Sequence, residues 1–310
     1  MGGDDVHRRR GAPMRHRYPG AGRGGESRGH TGNHLEGYVM GQKCLDLLTA
    51  APEQERIFIS YCDILLQVGG NVDYIKLKND IVCWLRNYVY SAHKKGITFG
   101  LSGGIDSSVL ALIAKEAFDR DILPVIMPIN SSIEDEKDAM LLIDKFDLRY
   151  KKLDLSSVYS RLINLYGECE NNLAKANLKS RLRMMTLYFY AQENDLLVAG
   201  ATNKSEFMIG YFTKYGDSGV DILPLAELYK EDIYELAKVL KIPDKIINKP
   251  SSAGLWEGQT DFEELGFSYE QLDGFLKSGT GTLKFKDLID KKISISDHKR
   301  KFPEIYKFEV

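Results

Sequence analysis

Residues 97–109 constrain the fold of this chain more than any other stretch. A short β-branched and aromatic run, residues 97–101 (ITFGL), leads into residues 102–108 (SGGIDSS), and helix-forming apolar residues resume at Val109. This pattern predicts a strand, a tight loop and a helix. Adjacent glycines let an anion approach the backbone closely, and serine hydroxyls stand beside the N–H groups at the start of the helix. We therefore predict a phosphate-binding loop.

Two common nucleotide-binding fingerprints are missing from this loop. Residues 97–109 match neither Gly-x-x-x-x-Gly-Lys-[Ser/Thr] nor Gly-x-Gly-x-x-Gly. The loop also lacks a lysine of its own, so a cation that neutralises bound phosphate must come from elsewhere in the chain.

Strand and helix patterns alternate around this loop. The predicted elements are a helix over 74–93, the strand before the loop, a helix after it, a strand over 122–129, a helix over 134–146, a strand over 150–155, helical residues over 156–193 and a strand over 196–200. Because parallel strands need crossover connections, the alternation predicts an α/β fold with a doubly wound parallel sheet and helices on both faces. Ligands of such sheets lie beyond the carboxyl ends of the strands. The loop at Ser102 and the loop after Gly200 are therefore expected to line one crevice.

The beginning of the chain differs in composition from the rest. Residues 1–42 are rich in arginine and glycine, hold four of the six histidines and show no apolar periodicity. We predict a disordered basic arm there, which could bind RNA or be dispensable. Residues 43–71 have apolar residues at mixed spacing and form a poorly defined N-terminal segment. Residues 72–310 are predicted to form the domain that carries the site.

Charge and hydropathy narrow the range of partners. The net charge is −2 and the pI is near 6.3, which gives no overall argument for a polyanionic partner. No apolar run approaches the roughly 20 residues that span a bilayer. The four cysteines show no C-x-x-C spacing. We expect a cytoplasmic protein that does not bind membranes, and apart from the basic arm nothing in the composition favours a nucleic-acid partner.

Further polar segments follow the fourth predicted strand in a fixed order. They are residues 200–206 (GATNKSE), 210–217 (GYFTKYGD), 221–225 (DILPL), 250–256 (PSSAGLW) and 298–300 (HKR). Together with SGGIDS at 102–107, they resemble the NAD synthetase family, ammonia-dependent members included, within the N-type ATP pyrophosphatases. The resemblance covers roughly residues 72–308 and implies a Rossmann-like fold of the adenine nucleotide alpha hydrolase type. Ala201 departs from it, because many relatives have threonine there.

The resemblance implies roles for individual residues. For ATP these are Gly100, Leu101, Ser102, Gly103, Gly104, Ile105, Asp106, Ser107, Ser108, Met127, Arg183, Thr202, Lys230 and Ser251. For deamido-NAD they are Arg181, Lys214, Asp217, Asp221, His298 and Lys299. Asp106 and Glu206 would hold Mg²⁺, which takes oxygen ligands and needs only one or two carboxylates. Asp106, Asp217 and Lys230 are the candidate catalytic residues.

Several of these residues also have ordinary structural explanations. Glu206 could be a helix-capping acid, Lys230 a solvated surface lysine and Met127 a core residue. Arg181 and Arg183 are two positions apart on a predicted helix, so we expect at most one of them to meet the nucleotide.

The reaction implied is amidation of deamido-NAD to NAD. ATP would activate the nicotinate carboxylate as an adenylate, and ammonia would then displace AMP. Glutamine-dependent relatives carry a long N-terminal amidase domain, for which 71 residues leave no room, so ammonia is the expected donor. A homodimer is expected by resemblance. The alternatives are another N-type ATP pyrophosphatase, such as a GMP synthetase-like or tRNA-modifying enzyme, and a non-catalytic nucleotide-binding protein.

Overall fold

Helices and strands alternate along the computed structural model of the protein, which describes residues 72–252 and 260–308. The strands are β1 (Gly96–Gly100), β2 (Ile122–Ile126), β3 (Lys151–Lys152) and β4 (Leu196–Val198). The helices are α1 (Tyr74–Ser91), α2 (Ile105–Phe118), α3 (Ile133–Phe146), α4 (Ser156–Tyr166), α5 (Asn172–Asn194), α6 (Lys204–Ile209), α7 (Lys230–Val239), α8 (Asp244–Ile247), α9 (Asp261–Leu265), α10 (Tyr269–Ser278) and α11 (Leu283–Ser296), followed by a 3₁₀ turn at Asp297–Lys299. The predictions for residues 1–42 and 43–71 lie outside the described residues.

The four strands form one parallel sheet in the order β3-β2-β1-β4. Ile97 on the central strand β1 lies opposite Ile122 on one side and Leu197 on the other. The chain adds β2 and β3 on one side of β1 and then returns to place β4 on the other. This reversal creates a switch point between β1 and β4, which is where doubly wound sheets bind ligands.

Apolar clusters cover both faces of the sheet. One joins α1, α2 and α7 to the sheet, and Leu85, Leu110 and Leu236 are completely buried in it. The other packs α4 and α5 against the sheet through residues such as Tyr159 and Leu187. Helices on both faces of a parallel sheet confirm the predicted fold class. In the ranges that the structure describes, no helix combines the length and apolarity that crossing a bilayer requires.

Three of the predicted elements are wrong in extent, and the strand expected over 122–129 ends at Ile126. The helical stretch 156–193 is two helices, because Gly167 adopts a φ of +83° and ends α4. The strand expected over 150–155 contains only Lys151 and Lys152, which pair with Val125 and Ile126 at the sheet edge. By contrast, α3 begins at Ile133, one residue before the expected start at Glu134, and ends at Phe146 as expected; Ser132 caps it.

Candidate functional site

A cavity of about 710 Å³ opens at the carboxyl ends of β1 and β4. Its walls come from the loop after β1, the loop after β4, one side of α5, residues 210–217, residues 249–252 and the 3₁₀ turn near the C-terminus. The loops at Ser102 and Gly200 therefore share one crevice, as predicted. The residues that form these walls lie up to about 200 positions apart in the sequence. The fold brings them together at the switch point of the sheet.

The loop after β1 is shaped to expose backbone N–H groups. Gly103 has a φ of +80°, and a Cβ atom there would clash with the carbonyl oxygen of Asp135. Gly104 caps α2 without any hydrogen bond from a side chain, so the N–H groups at the start of the helix have no capping side chain and can bind an anion. Ser107 Oγ donates to the Gly104 carbonyl (3.0 Å) and contacts the Ser102 hydroxyl at 3.0 Å.

The structure does not bring every residue of this loop to the cavity. Gly100, Leu101, Ser102, Gly104, Ile105, Asp106 and Ser107 line it. Gly103 packs against α3 instead. Ser108 is completely buried, and its hydroxyl donates to the Gly104 carbonyl at 2.8 Å. The side chain of Ser108 is therefore not placed to contact ATP. Its hydroxyl bonds to the carbonyl four residues earlier, as serine hydroxyls within helices often do.

Three helix N-termini converge on one charged cluster in the cavity. Asp106 lies in the first turn of α2, Glu206 in the first turn of α6, and Lys230 begins α7. Lys230 Nζ lies 2.6 Å from Asp106 Oδ2 and 3.3 Å from Glu206 Oε1. Asn203 caps α6 and donates to Asp106 Oδ1 at 2.8 Å. Lys230 is thus the cation that the loop after β1 lacks.

Burial sets the charge states in this cluster. Burial raises the pKa of Glu206 to about 7, although Lys230 works against the shift. Burial alone would lower the pKa of Lys230, but the carboxylates of Asp106 and Glu206 outweigh it and raise that pKa above its usual range. Lys230 is therefore a permanent cation, while Glu206 can change its charge near neutral pH.

A second group of polar residues lies next to the cluster, and two of them, Tyr211 and Asp261, also line the cavity. Tyr269 donates to Asp261 Oδ2 at 2.8 Å and to Glu206 Oε1 at 3.3 Å. Tyr211 donates to Asp261 Oδ1 at 3.1 Å. Asp273 is buried, accepts from the N–H of Glu231 at 3.1 Å and holds the start of α7. The sequence analysis assigned no roles to these residues.

The opposite wall is built around Asp217. Asp217 Oδ1 accepts hydrogen bonds from Ser180 Oγ (2.7 Å) and the Thr213 N–H (2.9 Å). Lys214 Nζ donates to the His298 carbonyl at 2.6 Å. Lys299 Nζ donates to the carbonyls at positions 210 and 212, both at 2.8 Å. These bonds join the C-terminal turn to the 210–217 segment, and Lys214, Asp217, His298 and Lys299 all line the cavity.

Both arginines of α5 line the cavity, although their spacing led us to expect at most one of them to meet the nucleotide. Arg183 Nε donates to the Met127 carbonyl at 3.0 Å, at the end of β2. Arg181 Nη2 donates to the Lys214 carbonyl at 3.2 Å on the other side. The helix runs between two walls of the same cavity, and the long side chains extend to opposite walls. Met127 also lines the cavity.

The remaining predicted residues divide between the cavity and a separate depression. Thr202 and Ser251 line the cavity, and Ser251 Oγ is buried with no hydrogen-bond partner among the described residues. Asp221 does not line it. Its carboxylate accepts from the Val198 N–H (2.8 Å) and Tyr188 Oη (3.0 Å) and lies in a second, smaller depression. Asp221 is thus separated from the other residues predicted for deamido-NAD.

Known proteins resemble this chain over the same region. The family model described as NAD synthase matches residues 77–304. The chain belongs to the NAD synthase family. An NH(3)-dependent NAD(+) synthetase of Finegoldia magna is 53% identical over 238 residues, which cover 77% of this chain and 98% of that relative. The enzyme of the same name from Syntrophomonas wolfei is 44% identical over a match that covers 73% of this chain and 94% of that relative.

Solved structures give the same result for the fold. The structure of an NMN synthetase from Francisella tularensis has a TM-score of 0.74 and 35% identity, covering 77% of this chain and all of that one. An NH3-dependent NAD synthetase from Campylobacter jejuni has a TM-score of 0.65 and 29% identity, covering 76% of this chain and all of its own. Membership of the NAD synthase family confirms the resemblance and the fold class inferred from sequence.

Proposed function

We propose that this protein is a C–N ligase that makes NAD by amidating deamido-NAD with ammonia, at the expense of ATP, with release of AMP and pyrophosphate. One observation carries the proposal. One wall of the cavity contains the loop after β1 and the buried Lys230. The other wall contains Asp217, with Lys214, His298 and Lys299 near it. The first wall suits phosphate and the second suits an acidic nucleotide.

The residues of the first wall would act on ATP. The N–H groups at the start of α2 and the Ser102 and Ser107 hydroxyls bind the β- and γ-phosphates. A carboxylate oxygen of the second substrate attacks the α-phosphorus, the bond to the β-phosphate oxygen breaks, and pyrophosphate leaves. Lys230 neutralises the charge that grows on the leaving group, and the buried setting strengthens this effect. Arg183 and Met127 border the space for the adenine.

The residues of the second wall would act on the acyl group. Ammonia attacks the carbonyl carbon of the adenylate, the bond from that carbon to the phosphate oxygen of AMP breaks, AMP leaves, and the nitrogen loses one proton. Asp217 is the carboxylate that we propose to hold ammonium and accept a proton, with Oδ1 fixed by Ser180 and Thr213. Lys214, His298 and Lys299 lie at the same wall and would bind phosphate oxygens of the dinucleotide.

Asp106 and Glu206 are the residues that we propose for Mg²⁺. Their oxygens suit a hard cation, and the described residues contain no cluster of three or more His, Cys, Asp or Glu that could hold a metal. A site shared between two carboxylates and the phosphates of the substrate fits this donor set. When bound, Mg²⁺ would supply positive charge to the pyrophosphate. Asn203 orients Asp106, and Tyr269 orients Glu206, for this purpose.

One experiment tests the function directly. The purified full chain is incubated with ATP, Mg²⁺ and deamido-NAD, with either ammonium or glutamine, and NAD and AMP are measured. We expect NAD and AMP in equal amounts with ammonium. No NAD with either donor would refute the ligase, whereas product with glutamine alone would refute only the choice of donor.

A second candidate substrate is nicotinate mononucleotide, which the same chemistry would convert to its amide. One of the similar solved structures, at 35% identity, is that of an NMN synthetase, and this similarity supports the mononucleotide as a candidate substrate. Both substrates should therefore be compared at equal concentrations. A higher kcat/KM for the mononucleotide would move the assignment to that substrate.

The proposed partners are the substrates ATP, deamido-NAD and ammonia, and a second copy of this chain in a homodimer. We propose the cytoplasm as the location.

Deleting residues 1–42 tests whether the basic arm binds RNA, because unchanged affinity for RNA would exclude that role. The intact set of Asp106, Glu206 and Lys230 argues against a protein that binds nucleotides without catalysis.

A further inference from the structure

Lys249 lines the cavity but has no part in the reaction described above. Its Nζ lies 2.7 Å from Asp135 Oδ1 and 2.7 Å from Asp138 Oδ2. Both acids lie at the start of α3, which packs directly against the loop after β1: a Cβ atom at Gly103 would lie 3.2 Å from Asp138 Cβ. The ammonium group of Lys249 therefore stands beside the proposed phosphate-binding loop.

Asp138 has two lysines as partners. It is 1% exposed, and Lys245 Nζ lies 2.7 Å from its Oδ1. Burial would raise the pKa of Asp138, but the two lysines outweigh it and lower the pKa. A buried carboxylate needs a counter-ion, and Asp138 would keep one if the other lysine left.

Lys249 is the lysine that could leave. It borders the cavity, whereas Lys245 does not. Its other partner, Asp135, keeps about a third of its side chain exposed, so water can solvate that carboxylate. The flexible four-carbon stem of lysine lets the ammonium move without a change in the backbone. Ser251, two residues later, presents a buried hydroxyl without a partner among the described residues.

Charge balance at the proposed phosphate site calls for such a residue. With both acids ionised, Asp106, Glu206 and Lys230 together carry a net charge of −1, and a bound Mg²⁺ would raise it only to +1, which does not balance the several negative charges of a triphosphate. Lys230 is already shared between the two carboxylates. A bound triphosphate would add further negative charge, which a second mobile cation would offset.

We propose that Lys249 is a phosphate-binding residue that exchanges partners when ATP binds. Its ammonium leaves Asp135 and Asp138 for the β- and γ-phosphates, and Lys245 remains as the counter-ion of Asp138. This inference rests on ATP being the substrate, as proposed above.

Nucleotides of different phosphate content test the exchange. Calorimetric titrations of the full chain with ATP, pyrophosphate and AMP are compared for wild type, Lys249→Met and the control Lys238→Met, whose lysine is exposed and pairs with Glu235. We expect Lys249→Met to weaken ATP and pyrophosphate about tenfold or more and AMP less than about twofold. Lys238→Met should change none of them. Equal weakening of AMP and ATP, or unchanged ATP affinity, would overturn the proposal.

Lys245→Met provides a second test if Lys249→Met does not fold. Lys245 lies outside the cavity and pairs with Asp138 and, on the surface, with Glu134, so we expect it to affect ATP by holding Asp138 while Lys249 moves. We expect about threefold to tenfold weaker ATP binding and unchanged AMP binding, because the exchange would otherwise leave a buried carboxylate unpaired. ATP affinity equal to wild type would overturn the exchange. Failure of wild type to bind ATP at all would instead refute the proposed function.

Discussion

Lys230 Nζ lies 2.6 Å from Asp106 Oδ2, although the two residues are 124 positions apart in the chain. The contact joins the start of α2 to the start of α7 across the switch point of the sheet. It explains how the proposed phosphate-binding loop, which has no lysine of its own, would obtain a fixed positive charge. Lys230 is 1% exposed, so this charge acts in a setting from which water is largely excluded.

Replacing Lys230 tests this role. We expect Lys230→Met to lower kcat/KM for ATP by about 10²- to 10³-fold, as for removal of other buried groups that stabilise developing charge. Steady-state assays of AMP release measure the effect, with Lys238→Met as the control. Circular dichroism shows whether the variant is folded. Activity close to that of wild type in a folded variant would contradict the assignment.

The raised pKa of Glu206 predicts that the Mg²⁺ concentration required for activity depends on pH. Because that pKa is about 7, Glu206 is largely protonated at about pH 6 and ionised at about pH 8, and only the ionised form suits a cation. As the pH rises towards 7, we expect the Mg²⁺ concentration for half-maximal activity to fall by up to about tenfold per pH unit. Glu206→Gln should remove this dependence. A flat wild-type profile across this pH range would contradict it.

The same pKa predicts the sign of an effect on stability. A carboxyl whose folded-state pKa is above its unfolded value of 4.5 contributes stability that is fully present below pH 4.5 and is lost as the pH rises through about 7. The free energy of unfolding of ligand-free Glu206→Gln should therefore vary less with pH across this window than that of wild type. Urea titrations at several pH values measure the difference, and equal pH dependence in the two proteins would contradict the assignment.

Gly103 should tolerate no side chain. Gly103→Ala would force a Cβ into the carbonyl of Asp135 at a φ of +80°, which costs at least about 1–2 kcal/mol before the clash is counted. We expect lost ATP binding and a lower free energy of unfolding. Gly274→Ala is the matched control, because Gly274 lies within α10 and a Cβ there meets nothing within 4 Å. That change should be neutral or stabilising.

Tyr269 should contribute to stability through its hydroxyl. Tyr269→Phe removes the donor to Asp261 and Glu206 and leaves buried acceptors less satisfied, so we expect a loss of about 1–3 kcal/mol in the free energy of unfolding. Tyr166→Phe, at a side chain that is 66% exposed, is the control. Equal stability of the two variants in urea would show that the buried hydroxyl is not needed.

Local patterns predicted most of the elements that surround the site. The strand–loop–helix around Ser102 follows from a β-branched run, two glycines and an apolar helix, and α3 begins directly after its cap at Ser132. The break at Gly167 was missed, because apolar residues continue on both sides of it. The short β3 was overestimated, because pairing at a sheet edge depends on a neighbouring strand.

Assignments within the site were less predictable. Asp221 follows Asp217 closely in the chain but faces a different depression. Arg181 and Arg183 both reach the cavity, since α5 runs between its two walls. Lys249, Asp261 and Asp273 have contacts that depend on residues far away in the sequence. No local pattern distinguishes them from solvated charges on a helix surface.

The sequence by itself determined the family, the fold class and the loop at Ser102, because glycine positions, apolar periodicity and ordered motifs depend on neighbours along the chain. Only the tertiary structure decided which charges meet. Lys230 pairs with Asp106 and Glu206. Lys249 pairs with Asp135 and Asp138. Each pairing joins residues that are far apart in the chain and that the fold brings together at the cavity. Burial at that point then sets the pKa of Glu206, because desolvation depends on everything packed around the carboxylate.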